Sequence, residues 1–374
     1  MGPMVSGAPA GRWNNARVSN QPRVILVIAD SSRTGGPEHV LTLATELRRA
    51  AWPVLVVCPE GQLRDRCREA SIPSRAVRMS GASLPLAAIR FRHLARRWQP
   101  DLIHSHGLRA GVIVSRAGVG ARWVHTHHLD GWFAASRLRI AAHRRALQLV
   151  GRGADLQIAV STAVADFVTG EVGVPATKVR TVPNGIYPLQ AKARLGPSGA
   201  TVGTLARLTQ TKGIDLAVMA LATPAGRELS LRVGGAGPEL SNLIDLATSM
   251  DVAGRIHFVG EVQDRQQFFD SCDVVWVPSR AEPFGLVACE AMSAGVPVVA
   301  SRVGGLPEIL DPPNAGACVA PANPGALASV TGAILADPER YQRLSAAGVE
   351  RIREHFEATR MVAETSDVYR EALA

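Results

Sequence analysis

The amino-acid sequence predicts an α/β fold in which two doubly wound parallel sheets face each other across a cleft. The chain has 374 residues, more than one hydrophobic core usually organises, so two domains are expected. Short apolar runs alternate with segments of helical periodicity, and this alternation is typical of parallel sheets covered by helices. A turn and linker near residues 186–198 divide the alternation into two similar series.

Residues 23–187 form the first predicted domain. They follow a leader, residues 1–22, that lacks the apolar core of a signal peptide and is expected to be disordered. The first strand, RVILVIAD (23–30), is apolar throughout, as expected for a strand buried on both faces. A helical pattern follows it, and four more strands alternate with helical segments: PVLVVCP (53–59), SRAVRM (74–79), DLIHSH (101–106) and RWVHTHH (122–128).

Residues 188–354 form the second predicted domain. Its predicted strands are ATVGTLAR (200–207), ELSLRVGGAG (228–237), RIHFVGE (255–261), DVVWVPS (273–279), VPVVAS (296–301) and GACVA (316–320). The last helical stretch, residues 355–374, is amphipathic, so we expect it to pack back across the boundary onto the first domain.

The charge of the chain is unevenly distributed. Residues 1–190 contain 25 Lys and Arg against 11 Asp and Glu, whereas residues 191–374 contain 16 against 21. The positive excess of the first half predicts an acidic partner for it. Two basic helical stretches, residues 89–98 and 136–152, interleave arginines with apolar residues. They favour either contact with the anionic surface of the inner membrane or a solvated helix face.

Hydropathy and cysteine content predict a cytoplasmic protein, with peripheral membrane contact at most. No apolar run approaches the ~20 residues that a membrane-spanning helix needs. The five cysteines form no C-x-x-C pair and are expected to be free thiols in a reducing compartment.

Arg207 and Lys212 are the first candidate site residues. Ligands of parallel α/β sheets bind beyond the carboxyl ends of the strands, and both residues follow the strand TVGTL. Two cations on one strand-end loop could neutralise a diphosphate. The same spacing, taken alone, is also that of a solvated loop.

Glu282 and Glu290 are the second candidate pair, eight positions apart in AEPFGLVACEA. A helix beginning near Leu286 would offer free backbone N–H groups to an anion. A carboxylate at position 290 could accept both hydroxyls of a ribose, and Glu282 could accept sugar hydroxyls. The alternative is that Glu290 caps the helix or forms a salt bridge within it.

Glycines and histidines at strand ends complete the candidates. Gly35 and Gly36 lack a full G-x-G-x-x-G fingerprint but would let the backbone approach a phosphate or sugar closely. Five histidines end two strands: His104, His106, His125, His127 and His128. Imidazoles bind zinc, but no carboxylate or cysteine completes a familiar spacing, so we expect no metal and interpret most of these histidines as hydrogen-bonding groups.

Taken in order, these motifs resemble those of retaining glycosyltransferases of family 4 (GT4), whose GT-B fold consists of two Rossmann-like domains. The resemblance covers residues 23–374. It is carried by GGPEHVLTLATELRRA, PDLIHSHG, WVHTHH, VPNGI, GTLARLTQTKG, GGAGPEL, FVGE and PSRAEPFGLVACEAMSAGVPVVASRVGGLPEIL. Two departures are Tyr187, where the family often has Asp, and AAW (50–52), which replaces the usual Gly-His.

The resemblance implies a role for each candidate. Glu282 would hold the donor sugar and Glu290 the ribose, as in the family's E-x7-E motif. Arg207 and Lys212 match the pair that binds the diphosphate in place of a metal. His128 matches the active-site histidine, with His127 as the alternative. Further donor contacts are implied for Gly36, Val262, Phe284, Gly285, Leu286 and Val287.

The implied activity is transfer, with retention of configuration, of a hexosyl or N-acetylhexosaminyl unit from a nucleotide sugar. UDP is the expected nucleotide because it is common among such enzymes. The first domain would receive a glycan or lipid-linked glycan of polysaccharide or lipopolysaccharide synthesis, and no metal or other cofactor is expected. The alternatives are a sugar-nucleotide epimerase of the same fold, and a basic nucleic-acid-binding protein. Only 5% of residues are aromatic and no nucleic-acid-binding module is recognisable, so no nucleic-acid partner is expected.

Overall fold

The computed structural model of the chain describes residues 21–32, 34–80, 83–128, 136–192, 200–311 and 314–374. Almost all of the predicted leader lies outside these ranges. The described residues form two parallel sheets, of seven and six strands. The predicted fold class, two doubly wound α/β units, is confirmed.

The first sheet has the strand order β3-β2-β1-β4-β5-β6-β7. Its strands are β1 (Val24–Ile28), β2 (Val54–Cys58), β3 (Ser74–Ala76), β4 (Leu102–His106), β5 (Arg122–His127), β6 (Leu156–Ala159) and β7 (Val179–Thr181). Its helices are α1 (Gly35–Arg49), α2 (Gln62–Glu69), α3 (Leu84–Trp98), α4 (Gly107–Ala117), α5 (Arg137–Gly153) and α6 (Thr162–Asp166). Strands β1, β2 and β4 are buried along their whole length, because helices cover both faces of the sheet.

Strand β6 was not predicted from the sequence. It has only four residues and carries Gln157 at its second position, which breaks the apolar run. The structure buries this side chain, and its amide hydrogen-bonds to His127 Nε2 at 2.6 Å and to the carbonyl oxygen of Gly151 at 3.2 Å. A polar residue is tolerated in the strand because its hydrogen bonds are satisfied internally.

The second sheet has the order β10-β9-β8-β11-β12-β13. Its strands are β8 (Thr201–Leu205), β9 (Ser230–Gly234), β10 (Ile256–Gly260), β11 (Val274–Val277), β12 (Val298–Ser301) and β13 (Ala317–Val319). The helices of this half are α7 (Ile214–Leu221), α8 (Leu240–Ser249), α9 (Arg265–Asp270), α10 (Leu286–Ser293), α11 (Leu306–Leu310), α12 (Pro324–Leu335) and α13 (Pro338–His355). All six predicted strands of the second series are present, each somewhat shorter than its sequence pattern.

The last helix, α14 (Ala358–Leu373), packs against α1 and against β5 of the first sheet. The chain crosses back beside Ile186, whose N–H donates to Phe356 O at 2.9 Å and whose carbonyl accepts from Ala358 N at 2.8 Å. Trp52, the aromatic residue of AAW, is buried with its ring 5.9 Å from that of Tyr369. The replacement of the usual Gly-His by AAW therefore places a tryptophan in the hydrophobic core of the first domain.

No helix in the described ranges combines the length and the apolarity needed to cross a bilayer.

Candidate functional site

Residues of both halves of the chain line a cleft of about 740 Å³ at the carboxyl ends of the strands. The first half contributes residues of the loops after β1 and β5 and of α1, and the second half contributes residues of the loops after β8, β10 and β11. All the predicted site residues lie along this cleft: Gly36, His128, Arg207, Lys212, Val262, Glu282, Phe284, Gly285, Leu286, Val287 and Glu290.

Lys212 and Glu282 form a direct ion pair across two loops. Lys212 Nζ lies 2.9 Å from Oε1 and 2.7 Å from Oε2 of Glu282, and Ser279 Oγ donates to Oε2 at 3.0 Å. Gly213 makes this approach possible: its φ is +65°, and an added Cβ would lie 2.1 Å from Pro278 O. Only glycine therefore fits where the Lys212 loop crosses the end of β11.

Arg207 is exposed at the edge of the cleft and forms no ion pair with the residues described. The loop that separates it from Lys212 is braced by Arg280, a residue that the sequence analysis did not single out. Arg280 donates to both carboxylate oxygens of Asp215, at 2.7 and 2.6 Å, and to Gln210 O at 2.8 Å. This bidentate contact fixes the geometry of the cationic loop.

The amino end of α10 opens into the cleft. Gly285 precedes the helix with φ +125°, and a Cβ there would lie 2.7 Å from Leu306 Cδ2. A helix leaves the N–H groups of its first turn without intrahelical acceptors, and Leu286 and Val287 of that turn line the cleft. Across the cleft, a Cβ on Gly35 would lie 3.4 Å from Leu286 Cδ1, so α1 and α10 begin close together.

Glu290 lies one turn inside α10, and its carboxylate forms an ion pair with Arg265, the first residue of α9. This partner of Glu290 comes from another element and not from α10 itself. Both side chains are largely buried, with 24% of Arg265 and 14% of Glu290 exposed. Sequence reasoning missed Arg265; its only signal was its position three residues after Val262.

The first-domain wall of the cleft is polar and acidic. Asp30 accepts hydrogen bonds from Ser32 N at 2.9 Å and from Thr34 Oγ1 at 3.0 Å. Burial alone would raise the pKa of Asp30, but these hydrogen bonds hold it below its usual value. Glu38 also lines the cleft, and it accepts two hydrogen bonds from Arg66, at 2.5 and 3.0 Å.

The structure places His128, and not His127, on the cleft. His127 turns into the core, where Gln157 holds it and burial lowers its pKa to about 4. His104 bonds to Tyr369 and Thr126, both at 2.6 Å. His125 bonds to Ser105 at 2.8 Å. These three are the strand-end hydrogen-bonding histidines that the sequence analysis expects.

Hydrogen bonds join the two halves beside the cleft. Ser161 Oγ donates to Pro283 O at 2.6 Å. The carboxylate of Glu308, on α11, accepts from the backbone N–H groups of Thr162 and Ala163 at 3.0 and 3.1 Å. A carboxylate at a helix start is favourable for both hydrogen bonding and the helix dipole, so Glu308 stabilises this arrangement of the halves.

Tyr187 ties the connection between the domains to α1. Its hydroxyl donates to Glu46 Oε1 at 2.6 Å, and Arg49 lies 5.8 Å from its ring centroid. Burial and the contact with Glu46 raise the pKa of Tyr187. The departure at this position thus adds a contact between the connection and the first domain.

Two facing parallel α/β units, with cations, carboxylates and a helix amino end along one cleft, are the arrangement of the GT-B fold. Residues 33–188 match the family model described as Glycosyltransferase Family 4, and residues 189–351 match Glycosyl transferases group 1. The chain belongs to glycosyltransferase family 4. It is a hexosyltransferase that uses a nucleotide sugar.

Similar proteins act on different acceptors. The chain is 31% identical over 310 residues to a glycogen synthase of Mycobacterium tuberculosis, covering 77% of this chain and 73% of that protein. It is 31% identical over 311 residues to a D-inositol 3-phosphate glycosyltransferase of Saccharomonospora viridis, covering 73% and 70%. The structure of Anabaena HepE in complex with UDP and glucose superposes with a TM-score of 0.81 at 21% identity, covering 94% and 100% of the two chains.

Proposed function

We propose that the chain is a retaining, metal-independent glycosyltransferase that moves a hexosyl or N-acetylhexosaminyl unit from a UDP-sugar to a glycan or lipid-linked glycan. The acceptor would belong to cell-surface polysaccharide or lipopolysaccharide synthesis. The observation that carries the proposal is the convergence of Lys212, Glu282 and the amino end of α10 on one cleft. The complex of HepE with UDP and glucose supports UDP as the nucleotide.

The second domain would hold the donor. Glu290 would accept the ribose hydroxyls, and the backbone near Val262 would contact the base. Arg207, Lys212 and the N–H groups at the start of α10 would surround the diphosphate. They would stabilise the charge that develops on it as the glycosidic bond breaks, which is the kind of preorganised electrostatic effect that dominates many enzymes.

The acceptor hydroxyl would attack the same face of the sugar that the diphosphate leaves. In this route the leaving phosphate oxygen takes the proton of that hydroxyl, so no enzymic nucleophile is required. His128 lies on the first-domain side of the cleft, where it would orient the sugar. Contacts such as that of Glu308 across the halves would help to keep water out of the closed site.

The first-domain wall supports a neutral, hydroxyl-bearing acceptor end. Its charged members among the described residues are Asp30 and Glu38, and Gln62 lies beside them. Carboxylates and amides accept hydrogen bonds from sugar hydroxyls. Among the residues that the structure describes, the positive excess of the first half therefore does not lie on this wall.

The positive charge lies instead on three neighbouring helices. Helices α3, α4 and α5 pack side by side, and they contain four, two and five arginines without any Asp or Glu. Ile89 and Leu138 are 64% and 81% exposed among these arginines. Arginines beside exposed apolar side chains support contact with an anionic membrane surface, where a lipid-linked acceptor would reside.

A ligand screen tests the donor part of the proposal. Thermal unfolding would be followed with UDP, GDP, ADP and their sugars, each with and without EDTA. A ligand at a hundred times its Kd adds about 2.7 kcal/mol to the free energy of unfolding. A shift with UDP that EDTA leaves unchanged is expected. A shift with none of the nucleotides would contradict the donor site.

Product analysis tests the rest. NMR of the transferred sugar should show the anomeric configuration of the donor, and inversion would contradict the mechanism. Conversion of the donor to an epimer without any acceptor would favour the alternative enzyme class.

Co-sedimentation with phosphatidylglycerol vesicles at low salt, compared with phosphatidylcholine vesicles, tests the membrane contact. Equal binding to both would contradict it.

A further inference from the structure

Three histidines from separate elements converge beside the cleft. His39 lies on α1, His106 ends β4 and His128 follows β5. One ring nitrogen from each lies within 4.8 Å of the others. His39 and His106 are each only 2% exposed, and His128 lines the cleft. This cluster could not be predicted from the sequence, because His39 belongs to an amphipathic helix more than sixty positions away from the other two.

Most nitrogens of these rings have no hydrogen-bond partner among the described residues. Neither nitrogen of His106 nor Nε2 of His128 makes a hydrogen bond there, whereas the side chain of Asn184 contacts His39 and acts on its pKa as a hydrogen-bond partner. By contrast, His104, His125 and His127 each bond to a side chain nearby. A buried polar group without a partner is costly, and one ring nitrogen of each of the three histidines is close to the other two.

We propose that His39, His106 and His128 bind one divalent transition-metal ion, with Zn²⁺ as the best fit, and leave a coordination position open toward the cleft. Zinc takes three imidazoles plus water in open tetrahedral sites at about 2.0–2.1 Å, so the nitrogens must approach to roughly 3.4 Å from one another. The present separations allow this with shifts of about 1 Å, well within small rotations of the rings.

The ligand chemistry selects the class of ion. Three imidazoles suit Zn²⁺, Cu²⁺ or Ni²⁺, whereas Mg²⁺ and Ca²⁺ require oxygen ligands. His128 gives the ion a route from the cleft to the two buried rings.

Metal binding should inhibit sugar transfer. An ion held by His128 would remove that imidazole from the sugar and place a positive charge beside the reacting groups. This consequence rests on the proposed function, but the binding site itself does not. The ion would be separate from the diphosphate, which Arg207 and Lys212 serve.

Metal titration tests the site without any assay of activity. The full chain, first treated with chelator, would be titrated with Co²⁺ and Cu²⁺. One tightly bound ion per chain is expected, with the intense visible bands of tetrahedral Co²⁺ and with nitrogen couplings in the Cu²⁺ EPR spectrum. Octahedral Co²⁺ spectra, or no binding near one equivalent, would overturn the proposal.

Matched variants locate the ion. His106→Asn and His39→Gln should each weaken Zn²⁺ binding by at least about 100-fold, since even outer-shell changes cost 10- to 100-fold. The control His257→Asn, at an exposed position, should bind as wild type does. Circular dichroism checks that each variant folds, and the wild-type spectra decide the question if one does not. Wild-type affinity in both variants would refute the site.

Inhibition separates this inference from the proposed function. Micromolar Zn²⁺ should slow transfer by the wild-type enzyme, and EDTA should restore it. One bound ion without inhibition would leave the metal site in place and contradict the role of His128.

Discussion

Replacing Lys212 with alanine should slow sugar transfer by about 10²- to 10³-fold at saturating donor. Removing one preorganised stabiliser of a developing negative charge costs roughly 2.7–4 kcal/mol in the transition state. Lys212 fits this description because its ammonium is held 2.7 and 2.9 Å from the two oxygens of Glu282. Its side chain is 29% exposed.

The same change has a smaller effect on the fold. Glu282 is 13% exposed and, among the side chains of the described residues, would keep the hydrogen bond from Ser279 alone. A lost hydrogen bond to a charged group costs about 1.5–3 kcal/mol, and solvent exposure of Lys212 places the loss near the lower end. Lys212→Ala should therefore remain folded, with a lower unfolding temperature that the donor partly restores.

Initial rates measure the effect on sugar transfer, and thermal unfolding with and without UDP measures the effect on the stability of the fold. Lys192→Ala is the matched control, because Lys192 also pairs with a carboxylate, Asp270, but is 61% exposed and does not line the cleft. An exposed pair contributes at most about 1 kcal/mol, and its loss should leave the rate within twofold. Wild-type turnover by Lys212→Ala, or an equal loss in Lys192→Ala, would refute the reasoning.

Two further substitutions and one labelling experiment test other parts of the structure. Gly285→Ala places an alanine at a φ of +125° and its Cβ 2.7 Å from Leu306, which costs about 1–3 kcal/mol in strain. The affinity for UDP, measured by calorimetry, should therefore fall. Wild-type affinity would show that the start of α10 does not contact the donor. Glu308→Gln weakens the two hydrogen bonds between the halves by about 1 kcal/mol, so small-angle scattering should report a larger radius of gyration. An unchanged radius of gyration would contradict the role of Glu308 in holding the halves together. Burial raises the pKa of Cys58 to about 12, so only ~1 in 10⁴ of the Cys58 thiols is ionised at pH 8. After treatment with an alkylating reagent, mass spectrometry should find Cys58 unmodified until the chain unfolds. Alkylation of Cys58 in the folded chain would contradict its burial.

Local periodicity was sufficient to predict most of the fold. Helix α3 (Leu84–Trp98) contains the basic helical stretch predicted over residues 89–98, because arginines and apolar residues alternate there at helical spacing. Strand β6 was missed because Gln157 interrupts it, and the groups that satisfy Gln157 lie elsewhere in the chain. Periodicity reports which face is apolar, but it cannot show that a buried amide finds partners in the tertiary structure.

The site was predictable as far as its residues belong to linear motifs. Glu282 and Glu290 share one segment, and the order of motifs along the chain implied their common cleft. Arg265 and Arg280 escaped prediction because each acts through a partner at least 25 positions away in the sequence. The sequence does not distinguish an arginine that pairs with a distant carboxylate from one that is solvated. Only the fold shows which carboxylate such an arginine contacts.

These pairings bear on how the proposed donor site can work without a metal. In the structure, Lys212 neutralises Glu282 and Arg265 neutralises Glu290, so neither carboxylate is left as an uncompensated buried charge, which would be strongly destabilising. A diphosphate entering the cleft would compete with Glu282 for Lys212 and would also meet Arg207. Glu282 would then be released to accept sugar hydroxyls. On this view, donor binding would exchange one anionic partner of Lys212, the Glu282 carboxylate, for another, the diphosphate. Arg207 would supply the additional positive charge needed to neutralise the diphosphate.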